Sequence, residues 1–82
     1  MYFVYILFSE KLNKYYIGYT KNIESRLELH NHGRETYTSK GAPWKLVYFE
    51  NLDSELSAIR REREIKAKKS RRYVEWLISK AG

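Results

Sequence analysis

The 82-residue chain has no cysteine and only two histidines, so neither disulfides nor a Cys/His metal finger can hold it together. It has no apolar run near the ~20 residues that a membrane span requires. Residues 1–8 lack the basic leader and small-residue cleavage site of a secretory signal, and a cytoplasmic location is the expectation. No internal repeat, linker or low-complexity stretch divides the sequence, so one domain over residues 1–82 is expected.

A chain this short buries only about 60% of the surface its unfolded form exposes, which leaves a thin core. Aromatic residues make up 16% of it, including eight tyrosines and two tryptophans, and must supply much of that core. The formal charge is +6. Such a field attracts polyanions, nucleic acid first among them, although a lysine-rich surface that serves only solubility has the same signature.

Residues 2–8 are β-branched and aromatic, and read as a central strand. After a polar turn, residues 15–19 read as a second strand, antiparallel to the first because the connection is too short for a parallel crossover. Thr20 to Asn22 offer caps for a helix to about residue 31, which Gly33 stops. A polar loop over 34–43 leads to a third strand at 45–49. Asp53 or Ser54 can cap a helix over 54–67, and Ser70 another over 71–80. The expectation is an α+β domain in the order ββαβαα, with a three-stranded antiparallel sheet flanked by helices.

Two phenols stand on the paired strands, Tyr5 and Tyr16. A phenol donates or accepts a proton, and neighbouring cations lower its pKa from near 10. Taken alone, the pair reads as hairpin core. Arg26 and His30 lie four apart on one helix and so share a face. Arginine presents a fork suited to phosphate, and histidine exchanges a proton near neutral pH. On a helical wheel Glu62 falls in the arc of Ala58, Ile59 and Ile65. A carboxylate on the packing side is costly without a partner. A metal is one resolution; a salt bridge to a core-facing Arg or Lys is the commoner one.

Residues 60–72 hold eight cations, Arg60, Arg61, Arg63, Lys66, Lys68, Lys69, Arg71 and Arg72. They form either a solvated face or a sequence-independent DNA contact. Lys40 and Tyr37, in a polar loop, are further candidates for a phosphate backbone. Trp44 reads as a core anchor, and Tyr2, Tyr15 and Tyr19 as packing or surface residues.

Together these residues resemble the GIY-YIG nuclease superfamily, in particular its small bacterial members of unassigned function. The first signature appears as Phe3-Val4-Tyr5 and the second, ten residues on, as Tyr16-Ile17-Gly18. Tyr19-Thr20, Asn22, Arg26-Leu27, His30 and Ala58-Ile59-Arg60-Arg61-Glu62 with Ile65-Lys66 follow in order. The resemblance spans nearly the whole chain. It implies hydrolysis of DNA phosphodiesters with one divalent ion, Mg²⁺ or Mn²⁺, in a structure-specific, repair or recombination setting. By it, Tyr5 is the general base or orients water, Tyr16 aligns the phosphate, and Gly18 keeps the backbone close. Arg26 would stabilise charge on phosphorus, His30 carry a proton, and Glu62 hold the metal. Phe3 replaces the family's usual glycine, and no asparagine follows Glu62. No appended DNA-binding domain is read, so a protein partner supplying specificity is compatible with the chain. A DNA-binding module without catalysis, or an accessory subunit of a nuclease complex, is the alternative.

Overall fold

The computed structural model describes residues 1–32 and 38–81. The elements are β1 (Tyr2–Ser9), β2 (Lys14–Thr20), α1 (Ile23–Asn31), β3 (Trp44–Leu52), α2 (Glu55–Ala67) and α3 (Arg71–Ala81), with a 3₁₀ turn at Ser39–Gly41 ahead of β3. The order is ββαβαα and the class α+β, as expected. β1 is central, in the order β2-β1-β3, and antiparallel to both neighbours.

The third strand runs well past its expected end at residue 49. Glu50, Asn51 and Leu52 are poor or indifferent strand formers, yet they pair with Val4, Phe3 and Tyr2 of the central strand. The ladder with β1 outweighs their local preference, and Glu50 gains an arginine partner described below. Gly33, the expected helix stop, lies outside the described residues, as do Tyr37 and most of the first half of the 34–43 loop. α1 ends at Asn31, where the His32 N–H donates to the Glu28 carbonyl at 2.8 Å.

Each helix start follows its polar residue. Asn22 Oδ1 accepts from the Ser25 amide at 3.0 Å, Ser54 Oγ from Ser57 at 3.1 Å, and Ser70 Oγ from Tyr73 at 3.1 Å. Caps of this kind contribute about 1 kcal/mol each. In the β1–β2 turn Asn13 takes φ of 54°, a left-handed conformation that asparagine tolerates. Arg71 grips it with two bonds of 2.8 Å, one to its carbonyl and one to Oδ1.

The two faces of the sheet follow from the alternation of β1. Val4 and Ile6 point to one face, where Ala58 and Ile65 of α2 and Val74 and Leu77 of α3 close over them. Tyr5 and Leu7 point to the other, with Trp44 and the flanking Tyr16, Ile23, Leu27 and Ala42. Trp44 is a core anchor as expected: its indole Nε1 donates to the Thr38 carbonyl at 2.8 Å, and Asn31 brackets its backbone. Among the described residues no helix is long and apolar enough to cross a membrane.

Candidate active site

Tyr5 is placed by the pleat of the central strand and by what stands beside it. Its cross-strand neighbours are Gly18 on β2 and Phe49 on β3. The phenol lies over Gly18 so closely that a Cβ there would sit 2.6 Å from Tyr5 Oη and 3.2 Å from a Tyr16 ring carbon. Glycine is required at this position by close approach, since real side chains do not tolerate such distances.

α1 delivers His30 to the same place. The imidazole is 1% exposed, with Nε2 3.1 Å from Tyr5 Oη and Nδ1 2.7 Å from Thr38 Oγ1. The Tyr16 ring lies 4.8 Å from the imidazole and 6.3 Å from the Tyr5 ring. A neutral imidazole donates through one nitrogen and accepts through the other. With Nδ1–H directed at Thr38, Nε2 accepts from the Tyr5 hydroxyl; in the other tautomer the chain runs in reverse. Thr38, His30 and Tyr5 therefore form a buried line along which a proton can pass.

Arg26 and His30 diverge although they are four residues apart. His30 is inside, whereas Arg26 is half-buried and lines a surface groove with Tyr2, Tyr19, Lys21 and Glu55. Tyr19 Oη donates to Glu55 at 3.3 Å. Desolvation first, and then Glu55, raise the Tyr19 phenol above its ordinary value, with Glu62 adding to the effect. Tyr19 is on β2, an edge strand of the sheet, with Glu55 as its hydrogen-bond partner.

Glu62 is on the packing side of α2, its side chain 16% exposed, and Lys66 pairs with it at 2.6 Å. The partner is the exposed lysine one turn along the same helix, not a core-facing residue. No group of three His, Cys, Asp or Glu able to hold a metal exists among the described residues. The donor set therefore does not fit an all-protein cage. It fits a hydrated divalent ion that takes one carboxylate and fills its other positions with water and substrate oxygens. Glu62 belongs to α2, whose Ala58 and Ile65 cover the Val4–Ile6 face, whereas the Tyr5 ring packs on the other face.

The basic stretch divides. Arg61 is turned to structure: its Nε and Nη2 donate to both Glu50 oxygens at 2.9 and 2.8 Å, and Nη1 to Glu64. Burial alone would raise the Glu50 carboxyl, but the bonds from Arg61 and Tyr48 outweigh it and hold the carboxyl below its ordinary value. The Tyr48 phenol is pushed up to about 12, by burial first and then by its hydrogen bond to Glu50. Arg71 is occupied by Asn13 and Glu75, and its guanidinium stacks 5.1 Å from the Tyr15 ring centre. Lys40, Arg60, Lys68, Lys69 and Arg72 are exposed.

A three-stranded α+β domain that brings two strand tyrosines, a strand glycine and a helical histidine together has the make-up of a nuclease domain. The model of the GIY-YIG catalytic domain matches residues 1–74, and the chain belongs to that family. A UPF0213 protein of Staphylococcus haemolyticus is 46% identical over 65 residues, 78% of each chain. A UPF0213 protein of Clostridium perfringens is 38% identical over 82 residues, 99% of this chain and 87% of that one. The solution NMR structure of a UPF0213 protein of Bacillus halodurans is similar with a TM-score of 0.59 and 36% identity, over 96% of this chain and 84% of the other.

Two residues of the site were missed by sequence reasoning. Thr38 sits in a polar loop, and only its place beneath Trp44 brings its hydroxyl to His30. Tyr19 reads as packing, and its position beside Glu55 depends on α2 docking at the edge of β2.

Proposed function

We propose that this domain hydrolyses phosphodiester bonds of DNA with the help of one divalent cation, on branched or damaged structures of the kind met in repair. The observation that carries the reading is the Tyr5–His30–Thr38 chain, with Nε2 3.1 Å and Nδ1 2.7 Å from their hydroxyl partners, beside the Tyr16 ring. Phosphodiester hydrolysis needs a base for water and a proton for the leaving oxygen, and this chain has both capacities in one line. Tyr5, with its proton passed to His30, orients and deprotonates the attacking water; it then gives that proton to the leaving oxygen and is itself reprotonated from His30. Tyr16 holds the phosphate. Arg26 stabilises the charge that develops on the non-bridging oxygens. Glu62 would hold Mg²⁺ or Mn²⁺, which supplies Lewis-acid stabilisation of the same oxygens. Lys40, Arg60, Lys68, Lys69 and Arg72 would follow the phosphate backbone without reading sequence.

The test is incubation of duplex, flapped and branched DNA with Mg²⁺ or Mn²⁺, against a Glu62→Ala control. Metal-dependent cleavage by the wild type alone supports the reading; equal traces from both sink it. One observation favours a second reading, DNA binding without catalysis: Lys66 already occupies the Glu62 carboxylate at 2.6 Å. That reading predicts salt-sensitive binding and no cleavage in either metal.

A further inference from the structure

A second concave feature lies on the outer side of β2. A groove of about 400 Å³ runs between the start of that strand and the α2–α3 junction. Its floor is apolar, from Ile17, Ile65 and Val74, with Tyr15 beside it; its rim is cationic, from Lys14, Lys66, Lys69 and Arg71. That volume is within the roughly 300–1,000 Å³ of small-molecule sites.

The rim charges are not equivalent. Lys66 is paired with Glu62, and Arg71 with Glu75. Among the described residues Lys14 and Lys69 have no ion-pair partner. Lys69 also has a φ of 47°, a left-handed conformation between two helices where glycine is the usual occupant. A cationic side chain thus stands at the groove's rim in a backbone conformation that costs it energy.

We infer that the groove binds a nucleoside phosphate, its phosphate on Lys14 and Lys69 and its base against Ile17, Ile65 and Val74. Two free cations at the mouth select a phosphate; an apolar floor is wasted on inorganic anions and suits a flat, poorly hydrated ring. The groove lies on the Val4–Ile6 face of the sheet, whereas the Tyr16 ring packs with Tyr5 on the other face, so the two sites share only the β2 strand. The nuclease reading enters only through the DNA nucleotide, one of the two sources of such a ligand. A free nucleotide and a nucleotide within DNA offer the same chemistry.

The test is a titration of the full chain in EDTA, followed by amide chemical shifts, with dAMP, deoxyadenosine, inorganic phosphate and the dinucleotide dApdA. The expected result is that dAMP moves the amides of residues 14–17 and 65–74 and binds more tightly than deoxyadenosine or phosphate. Tighter binding of dApdA than dAMP identifies a DNA nucleotide as the occupant, and the reverse a free one. Lys69→Gly should weaken dAMP about tenfold, the loss of one charge-assisted contact, while raising Tm by relieving the left-handed backbone. Lys14→Glu should weaken it at least as much. Equal response to phosphate and dAMP, or unchanged affinity in both variants, overturns the inference. Chelation removes cleavage from the measurement, so a failed nuclease reading leaves this result standing. A chain that cleaves DNA but whose groove amides stay still loses only the groove.

Discussion

On one face of the sheet Val4, Ile6 and Ala58 are 0% exposed among other aliphatic side chains; on the other His30 and Thr38, each 1% exposed, sit beside Tyr5 at 3%. Equal burial therefore covers opposite chemistries. The aliphatic face is what two helices and a short chain need for stability. The polar face gains nothing from burial unless every group is bonded. The Tyr5, His30 and Thr38 side chains are bonded to one another, and no buried side-chain nitrogen or oxygen lacks a partner among the described residues. An aliphatic cluster would fill the same space without such matching. What the polar face adds is a connected set of exchangeable protons beside a glycine-opened strand.

The largest expected effect falls on the aliphatic face. Ile6→Ala removes a 0% exposed side chain from between the sheet and its helices, and should cost about 2–5 kcal/mol in urea unfolding. If that face carries the fold, the Tyr5–His30 contact survives in whatever fraction remains folded.

Gly18→Ala attacks the other face at its tightest point. With 2.6 Å to Tyr5 Oη, the phenol must move away, at a cost of about 1–3 kcal/mol. The signature is a displaced His30 ring resonance, and cleavage should fall with it. A variant with native stability and an unmoved His30 would show that the close approach matters less than the geometry indicates.

A smaller effect separates the faces by pH. Glu50 has its folded pKa depressed, chiefly by Arg61 against the opposing effect of burial. A depressed carboxyl contributes stability that is present above its unfolded pKa and lost as pH falls through the folded value. Unfolding free energy should therefore decline as pH drops below about 4.5, the ordinary value. Glu50→Gln should abolish that slope and cost about 1–2 kcal/mol at neutral pH by leaving the Arg61 fork half-satisfied.

The sheet was legible from residues because alternation on β1 and β2 is local, and so was the packing-side position of Glu62 on its wheel. The caps at Asn22, Ser54 and Ser70 were legible for the same reason. The rest depends on register between distant segments. Arg61 reads as one cation in a basic run until β3 extends to Glu50 and sets it opposite α2. Helical spacing put Arg26 and His30 on one face, but that face straddles the boundary of the core, so one is buried and the other lies at the rim. Thr38 has no sequence signal at all; the Trp44 indole places it.

Tyr5→Phe tests the central claim most directly, because it removes one oxygen from the polar face and almost no packing. Metal-dependent DNA cleavage and thermal unfolding would be measured side by side with the wild type. The proton chain predicts a Tm lowered by roughly 5–20 °C, because the buried His30 Nε2 loses its partner, and cleavage below that Tm reduced about 100-fold or more. Wild-type cleavage by Tyr5→Phe would contradict it, and would return the phenol to the role of a core aromatic.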